Sequence, residues 1–377
     1  MLSPKYPYVA FYGKLPIHEY LFKPIYIGFS SHFSLKLPPS KYKIPKQMNL
    51  YIATSRDPFY NLAVENWLFR EMLTDTPILY LWQNSPCVVI GRAQNPWREC
   101  NIDALNKDRI PIVRRQSGGG TVYHDLGNLN YTIMAKSEDY NKQANLALII
   151  DILRCCGINA HASPHNDILV TYKNTDYKIS GSAFRETRDK SFHHGTLLIN
   201  ADTSKLYNYL HHTIDDSLTS KGVPSNRSKV INLSEINTQT TIAIIENAFL
   251  HQFQQQITYL PDNLSHPLIV KEQKTLRTWQ WRFGKTLPFS RRFVFNNISF
   301  SLEVKNGQLV ELNTYDQNHY MKLTHWIKEV TPYYTRSSFN KAPLNFTTQE
   351  KALLAYLYKH TAEVTGESEC NDHSIMG

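Results

Sequence analysis

A chain of 377 residues, 42% hydrophobic and 12% aromatic, is too long for one typical domain and too apolar for a disordered polymer, so two packed units are expected. Its 41 Lys and Arg against 32 Asp and Glu leave a net charge of +9, which favours acidic partners. These basic residues are spread along the chain without an arginine-rich block or interleaved aromatics, so no nucleic-acid partner is expected.

Residues 1–47 stand apart as an N-terminal extension or leader, with seven lysines, one acid (Glu19) and no arginine. The prolines and the missing arginine argue against an amphipathic transit peptide. From Met48 strands and helices alternate. Asn49 to Ala53 reads as a strand, and Pro58 to Met72 carries apolar residues at helical spacing. Ile78 to Trp82 and Cys87 to Gly91 read as a hairpin around Asn84-Ser85-Pro86. Leu146 to Cys156 reads as a buried helix, Asp167 to Tyr172 and Tyr177 to Ser180 as a hairpin around Asn174-Thr175-Asp176, and Thr196 to Ile199 as a strand. Thr240 to Phe253 reads as a helix, and the polar stretch Pro261 to His266 as a linker to a second domain. The expected fold class is α+β, with mixed β-sheets packed on helices in residues 48–260, a small accessory domain in 267–365 and a tail in 366–377.

No apolar run approaches the ~18 to 20 residues that span a bilayer, so no membrane partner is expected. The five cysteines, Cys87, Cys100, Cys155, Cys156 and Cys370, are odd in number and lack metal-ligand spacing, which points to a reducing compartment and no protein-bound metal motif.

The segment Arg114-Arg115-Gln116-Ser117-Gly118-Gly119-Gly120-Thr121-Val122-Tyr123-His124-Asp125 carries the most chemistry. Successive glycines let backbone N–H groups form a concave nest for phosphate or carboxylate oxygens, and the adjoining arginines can clamp such oxygens bidentately. A flexible turn between two strands is the plain alternative. The apolar run Ile110 to Val113 before it and the strand-like Leu129 to Met134 after it favour a rigid loop built on a sheet. Lys178, between Tyr177 and Ile179, reads on composition alone as an outward-facing strand residue.

This segment resembles the lipoate-protein ligases of the biotin and lipoyl ligase group. Asp57-Pro58-Phe59-Tyr60-Asn61-Leu62-Ala63-Val64-Glu65, Val89-Ile90-Gly91-Arg92-Ala93-Gln94-Asn95-Pro96-Trp97, Asn166-Asp167, Lys178-Ile179-Ser180-Gly181-Ser182-Ala183 and Phe192-His193-His194-Gly195-Thr196-Leu197-Leu198 resemble the same family in the same order. The likeness runs from Met48 to about Asn232. A weaker one, through Trp279-Gln280-Trp281-Arg282-Phe283-Gly284 to about Asp316, is similar to the small C-terminal domain of the bacterial type. Since it begins at Met48, an upstream start on a bacterial, cytoplasmic chain is the first expectation for residues 1–47, and a mitochondrial leader the second.

The resemblance implies ATP-dependent activation of lipoate to lipoyl-AMP, then transfer of the lipoyl group to a lysine of an acceptor. Acceptors would be the lipoyl domains of 2-oxoacid dehydrogenase acyltransferase subunits and the glycine-cleavage H protein, and a monomer using Mg²⁺ is expected. Lys178 falls on the catalytic lysine and would contact both nucleotide and lipoate. Arg115, Gly120, Thr121, Val122 and Tyr123 would contact ATP or the adenylate. Trp82 falls on the aromatic wall of the lipoyl tunnel, with His124 beside it, although unaided a Trp in an apolar run is plain core. Ser117, Gly118, Gly119, Asn166, Asp167 and Ser180 are secondary candidates, and an Asx pair is equally a turn former. Lys221-Gly222-Val223 through Arg227-Ser228-Lys229-Val230 resembles the adenylate-binding loop. His193 and His194 would face opposite ways on a strand, so they are not expected to share a metal.

An octanoyltransferase would need a cysteine after the His-Gly segment, and none occurs between Cys156 and Cys370. A biotin ligase would carry a different glycine-rich run. A lipoyltransferase confined to preformed lipoyl-AMP is disfavoured by the likeness from Trp279 to Asp316. Gln116 departs from the family, which often has serine or arginine there, and the tail after Asp316 agrees poorly with it.

Overall fold

The computed structural model describes residue 45 and residues 47–210, 218–222, 224–225, 228–253 and 257–364. Nearly all of the expected extension, the tail 366–377, and Val223, Asn226 and Arg227 of the expected adenylate loop lie outside the described residues. Among the described residues no helix is long and apolar enough to cross a membrane.

The strands are, in order, β1 (Asn49–Ala53), β2 (Ile78–Trp82), β3 (Cys87–Ile90), β4 (Ile112–Arg114), β5 (Val122–His124), β6 (Asn128–Lys136), β7 (Ala160–Ala162) and β8 (Ile168–Tyr172). There follow β9 (Thr175–Ser180), β10 (Ser182–Glu186), β11 (Lys190–Leu198), β12 (Leu218–Ser220), β13 (Ile257–Leu260), β14 (Phe289–Phe295), β15 (Ile298–Lys305) and β16 (Gln308–Thr314).

A six-stranded mixed sheet, ordered β10-β11-β6-β2-β1-β13, forms the largest layer. β1 runs parallel to β2 and β13, and the other pairs are antiparallel. Every residue of β2 is buried, which is why its Ile-Leu-Tyr-Leu-Trp sequence shows no polar alternation. The helix Pro58–Trp67 starts where Asp57 caps Phe59 N at 2.9 Å with Pro58 in the first turn, and it ends in a π-helical turn, Leu68–Met72. Asn141 caps the helix Lys142–Cys155, whose Leu148, Ile149 and Ile152 pack with Leu129, Tyr131 and Leu197 of the sheet.

A second sheet, β4-β3-β5, carries the glycine loop between its two outer strands. The expected hairpin of Ile78–Trp82 with Cys87–Ile90 does not form: β2 pairs with β1 and β6, while β3 pairs with β4 and β5. Both strands are buried on two faces, so their apolar runs carry no sign of which sheet each joins. The chain between them turns away instead, with Ser85 N donating to Arg56 O at 2.8 Å.

The expected hairpin of β8 and β9 is present, but its turn lies at Lys173-Asn174, both left-handed (φ 48° and 60°), and Thr175 and Asp176 already belong to β9. The expected strand Thr196–Ile199 is the end of the nine-residue β11. β7-β8-β9 form a third sheet, and a fourth, β12-β14-β15-β16, packs against the helices Met321–Val330 and Thr348–His360.

The two expected units share their interior. Alternate residues of β3 enter different cores: Cys87 and Val89 pack with Trp82 and the helix Pro58–Trp67, whereas Val88 and Ile90 join Trp97 and Tyr123 in a cluster continuous with Phe283, Phe289 and Leu302. The helix Pro267–Arg277, expected beyond the linker, buries Ile269 and Leu276 in the cluster of the helix Pro58–Trp67, and Arg277 pairs with Asp57. The stretch expected as a linker is tied down as well, Tyr60 Oη donating to Pro261 O at 2.6 Å.

Arg114 is the main polar fastening between these parts. Its fully buried guanidinium donates to the carbonyls of Arg92 (3.0 Å) and Gln94 (2.8 Å) on one side, and to those of Trp281 (3.0 Å) and Arg282 (2.7 Å) on the other. Trp281 Nε1 returns a bond to Arg114 O at 2.8 Å. The expectation that both arginines beside the loop face anions is therefore corrected for Arg114. Adjacent strand residues point to opposite faces, and this one faces the seam. Arg114→Ala would leave several buried carbonyls without donors and is expected to lower stability by about 3–5 kcal/mol. Denaturant unfolding measures it, and a loss below about 1 kcal/mol would contradict the role.

Candidate functional site

Two adjoining cavities of about 430 and 300 Å³ open beside the glycine loop. They share Thr121, Val122, Lys178, Gly181, Thr196, Pro224 and Ser225, so they form one trough with Lys178 at the junction. Leu62, Trp82, Val89 and His124 line the larger chamber. Leu198, Leu206, Tyr207 and Leu210 give the smaller one an apolar wall, and Arg98 and Glu99 supply charge.

Lys178 reaches the junction because β9 is irregular. Ser180 pairs with Ile168 but Lys178 pairs with Leu169, so β9 carries one extra residue at Ile179. Such a bulge re-aims a side chain. The Lys178 backbone is held by the segment after the expected adenylate loop: its N–H donates to Lys229 O at 2.8 Å, and its carbonyl accepts from Ile231 N at 3.3 Å. Lys178 Nζ lies 2.9 Å from Asp167 Oδ1, an ion pair that aims the ammonium into the trough. Asn166, in left-handed conformation (φ 63°), makes the turn that presents Asp167. It is not among the residues lining either cavity.

The glycine loop is fastened by close backbone contacts and hydrogen bonds. Gly119 takes a left-handed φ of 81°, and a Cβ on Gly91 would stand 2.2 Å from Gly119 O, so the end of β3 and the loop touch backbone to backbone. Gln94 accepts from Gly91 N at 2.9 Å and from Thr121 Oγ1 at 2.8 Å. Arg115 lines the larger chamber, yet its guanidinium points into the loop, donating to the carbonyls of Gly118 (2.5 Å) and Gly120 (2.7 Å) and to Ser117 Oγ (3.0 Å). A cation this buried needs acceptors, and the loop carbonyls supply them. Burial lowers its pKa to about 10.

Thr121 N–H points to Ser225 Oγ at 2.9 Å, and Ser225 Oγ donates to Glu99 Oε2 at 2.5 Å. The expected adenylate loop is thus already tethered over the glycine loop at Ser225. Tyr123 lines the smaller chamber and packs on Tyr209.

His124 has a defined tautomer. Asn61 Nδ2 donates to the carbonyls of Ser55 (3.1 Å) and Gln83 (2.8 Å) and to Asn84 Oδ1 (3.0 Å), which turns Asn84 Nδ2 toward His124 Nδ1 at 3.1 Å. Nδ1 accepts, so the ring proton sits on Nε2. Burial, reinforced by Arg115 and His194, lowers the His124 pKa to about 3 and keeps the ring uncharged. His193 and His194 face opposite ways: His193 Nε2 meets Ser182 Oγ at 3.0 Å, and His194 lines the larger chamber. Among the described residues no cluster of three or more His, Cys, Asp or Glu could hold a metal.

Trp82, Arg115, Gly119, Gly120, Thr121, Val122, His124, Asp167 and Lys178 converge on the trough, with Tyr123 on its smaller side. Ser117 and Ser180 are buried behind it, and the Gly118 carbonyl is taken up by Arg115. Ser225 belongs to the expected adenylate loop, whereas Glu65, Gln94 and Thr132, which line neither cavity, back the site with hydrogen bonds that sequence reasoning did not anticipate. Glu65 and Gln94 sit inside motif stretches, but Thr132 has no sequence signal of its own. Gln116, the departure from the family pattern, is absorbed by a local ring. Arg185 Nη1 donates to Gln116 Oε1 (2.7 Å) and Asn66 Oδ1 (2.9 Å), and both amides donate to Glu272.

The family model of the lipoyl protein ligase A/B catalytic domain matches residues 57–254. Among solved structures, LipL1 of P. falciparum in complex with lipoate is similar at 27% identity and a TM-score of 0.55, over 82% of this chain and 99% of that one. A lipoate-protein ligase A bound with ATP is similar at 25% identity and a TM-score of 0.50, over 63% and 99%. The bi-partite lipoate protein ligase of Thermoplasma acidophilum, from an archaeal system that includes an E2 lipoyl domain, shares the fold at 22% identity and a TM-score of 0.52, over 63% and 97%. With the glycine loop, the junction lysine and more than half of its length matching that model, the chain belongs to the lipoate-protein ligase family.

Proposed function

We propose that this chain activates lipoate with ATP and transfers the lipoyl group to a lysine of a lipoyl-domain protein. The observation that carries this reading is the pair of chambers meeting at Lys178, one walled by Trp82 and lined by Gly119 and Gly120, the other bordered by Thr121 to Tyr123 just after the glycines. An eight-carbon acid with a dithiolane suits the first chamber, and a nucleotide the second. Their reacting ends then meet at the Lys178 ammonium. That relatives bind lipoate and ATP supports the same pair of ligands here.

In the first half-reaction a lipoate carboxylate oxygen attacks the α-phosphorus. The bond from that phosphorus to the bridging oxygen breaks, and pyrophosphate leaves. In the second, the amine of the acceptor lysine attacks the acyl carbon, AMP departs with the bonding pair, and the nitrogen loses a proton. Lys178 acts as an electrostatic clamp, neutralising two anions as they approach and then the charge on the leaving phosphate. The Gly120 to Tyr123 backbone faces the nucleotide, and Arg115 contributes by holding the loop carbonyls inward. Asp167 on the larger chamber and Glu99 on the smaller would be the hard oxygen donors available to a Mg²⁺ carried in with the nucleotide, an ion that would offset the charge of the phosphates. Acceptors are lipoyl domains of 2-oxoacid dehydrogenase acyltransferase subunits and the H protein.

Octanoyl transfer through a cysteine finds no support at the trough, which no cysteine lines among the described residues. Incubation of the protein with ATP, Mg²⁺, lipoate and a lipoyl domain should add one lipoyl group to one domain lysine, read by mass spectrometry. An unmodified domain under those conditions would refute the reading.

A further inference from the structure

Behind the larger chamber a file of hydrogen bonds joins its aromatic wall to the glycine loop. Trp82 Nε1 donates to Thr132 Oγ1 at 3.1 Å, and the Thr132 hydroxyl donates to Glu65 Oε1 at 2.7 Å. The same carboxylate oxygen accepts from His194 Nδ1 at 2.8 Å, which directs His194 Nε2 to Ser117 Oγ, also at 2.8 Å. Ser117 Oγ accepts from Arg115 Nε at 3.0 Å and so has its own proton to give to the ring. Every member is buried, and Thr132 is 0% exposed, so its hydroxyl is out of reach of bulk water.

Thr132 is the member with two duties. It lies on β6, two residues from Asn130, which pairs directly with Trp82, so its hydroxyl meets the indole diagonally across the strands. As acceptor it fixes the Trp82 N–H. As donor it ties that N–H to a carboxylate that His194 holds in place from another direction. Valine has nearly the same shape but neither function: it would leave the indole N–H and one carboxylate lone pair dry.

We propose that Thr132 is a positioning residue for acyl recognition, whose hydroxyl locks the Trp82 indole against Glu65 and thereby sets which acid the larger chamber accepts. This rests on the lipoate reading above. Loss of the lock frees the wall without touching Lys178, and Arg115 still holds Ser117 and the carbonyls of Gly118 and Gly120, so the effect belongs in acid binding and not in the chemical step.

The test compares Thr132→Val with Thr132→Ser, which keeps the hydroxyl. Lipoate binding is measured by calorimetry, and KM and kcat for lipoate and for straight-chain acids of increasing length by pyrophosphate release. Thr132→Val is expected to weaken lipoate binding about tenfold and to change the order of preference among acids. Its kcat should stay within about threefold of wild type, and Thr132→Ser should bind nearly as wild type. Unchanged affinity and preference in a folded Thr132→Val protein would overturn the proposal, as would an equal loss in Thr132→Ser, which would make the role one of packing alone. Should Thr132→Val fail to fold, Thr132→Ala against Thr132→Ser asks the same question of the hydroxyl. A wild-type protein that binds no lipoate would instead remove the functional reading, before any variant is compared.

Discussion

Lys178→Ala is expected to lower lipoate activation by about 10³-fold or more while leaving the fold intact. The fold survives because the Lys178 backbone, not its side chain, makes the bonds to Lys229 and Ile231, and the side chain is 20% exposed. The activity does not, for two reasons that act together. The cation that draws two anions into contact disappears, and the Asp167 carboxylate, 2.9 Å from Nζ in the parent, is left unpaired facing them. Lys178→Gln should therefore be nearly as impaired, and adding Asp167→Asn to Lys178→Ala should recover part of the loss by removing the repulsion. Both half-reactions should fall, the second measured with supplied lipoyl-AMP. A folded Lys178→Ala protein within about tenfold of wild type would exclude the clamp.

Gly91→Ala is the second large effect, and its origin is steric. The added Cβ would meet Gly119 O at 2.2 Å and Gly118 O at 3.2 Å, both backbone atoms that no rotamer change can move aside. The loop must shift by roughly 1 Å, and displacement of that order costs about 10²-fold in rate where reacting groups depend on alignment. Stability should fall by about 1–3 kcal/mol, the range for overpacking. Activity is thus expected to drop far more than stability, and the loss should show in nucleotide KM as well as kcat. Normal ATP kinetics in this variant would mean that the loop does not position the nucleotide.

The glycine loop was legible in the sequence because three adjacent glycines beside two arginines are unusual for a core, whereas Lys178, on composition alone an outward-facing strand residue, was legible only through the family resemblance. The arginine pair was half legible. Strand alternation requires Arg114 and Arg115 to face opposite ways, but only the packed seam decides that Arg114 meets Trp281 and Arg282 while Arg115 meets the loop. The β2 and β3 runs misled, since strands buried on both faces look alike whether or not they pair. Thr132 was invisible for a further reason. A threonine in a strand is ordinary, and its meaning comes from Trp82 and Glu65, 50 and 67 positions away. Gln116 stood out against the family, and its explanation lay with Glu272, on a helix expected to belong to another domain.

This protein is expected to make its own acyl adenylate. The direct measurement is lipoate-dependent release of pyrophosphate from ATP by the purified protein with Mg²⁺ and no acceptor present. Release that requires lipoate and disappears with Lys178→Ala is the predicted result. No release, together with transfer from supplied lipoyl-AMP to a lipoyl domain, would contradict it and make the protein a transferase that depends on another activating enzyme.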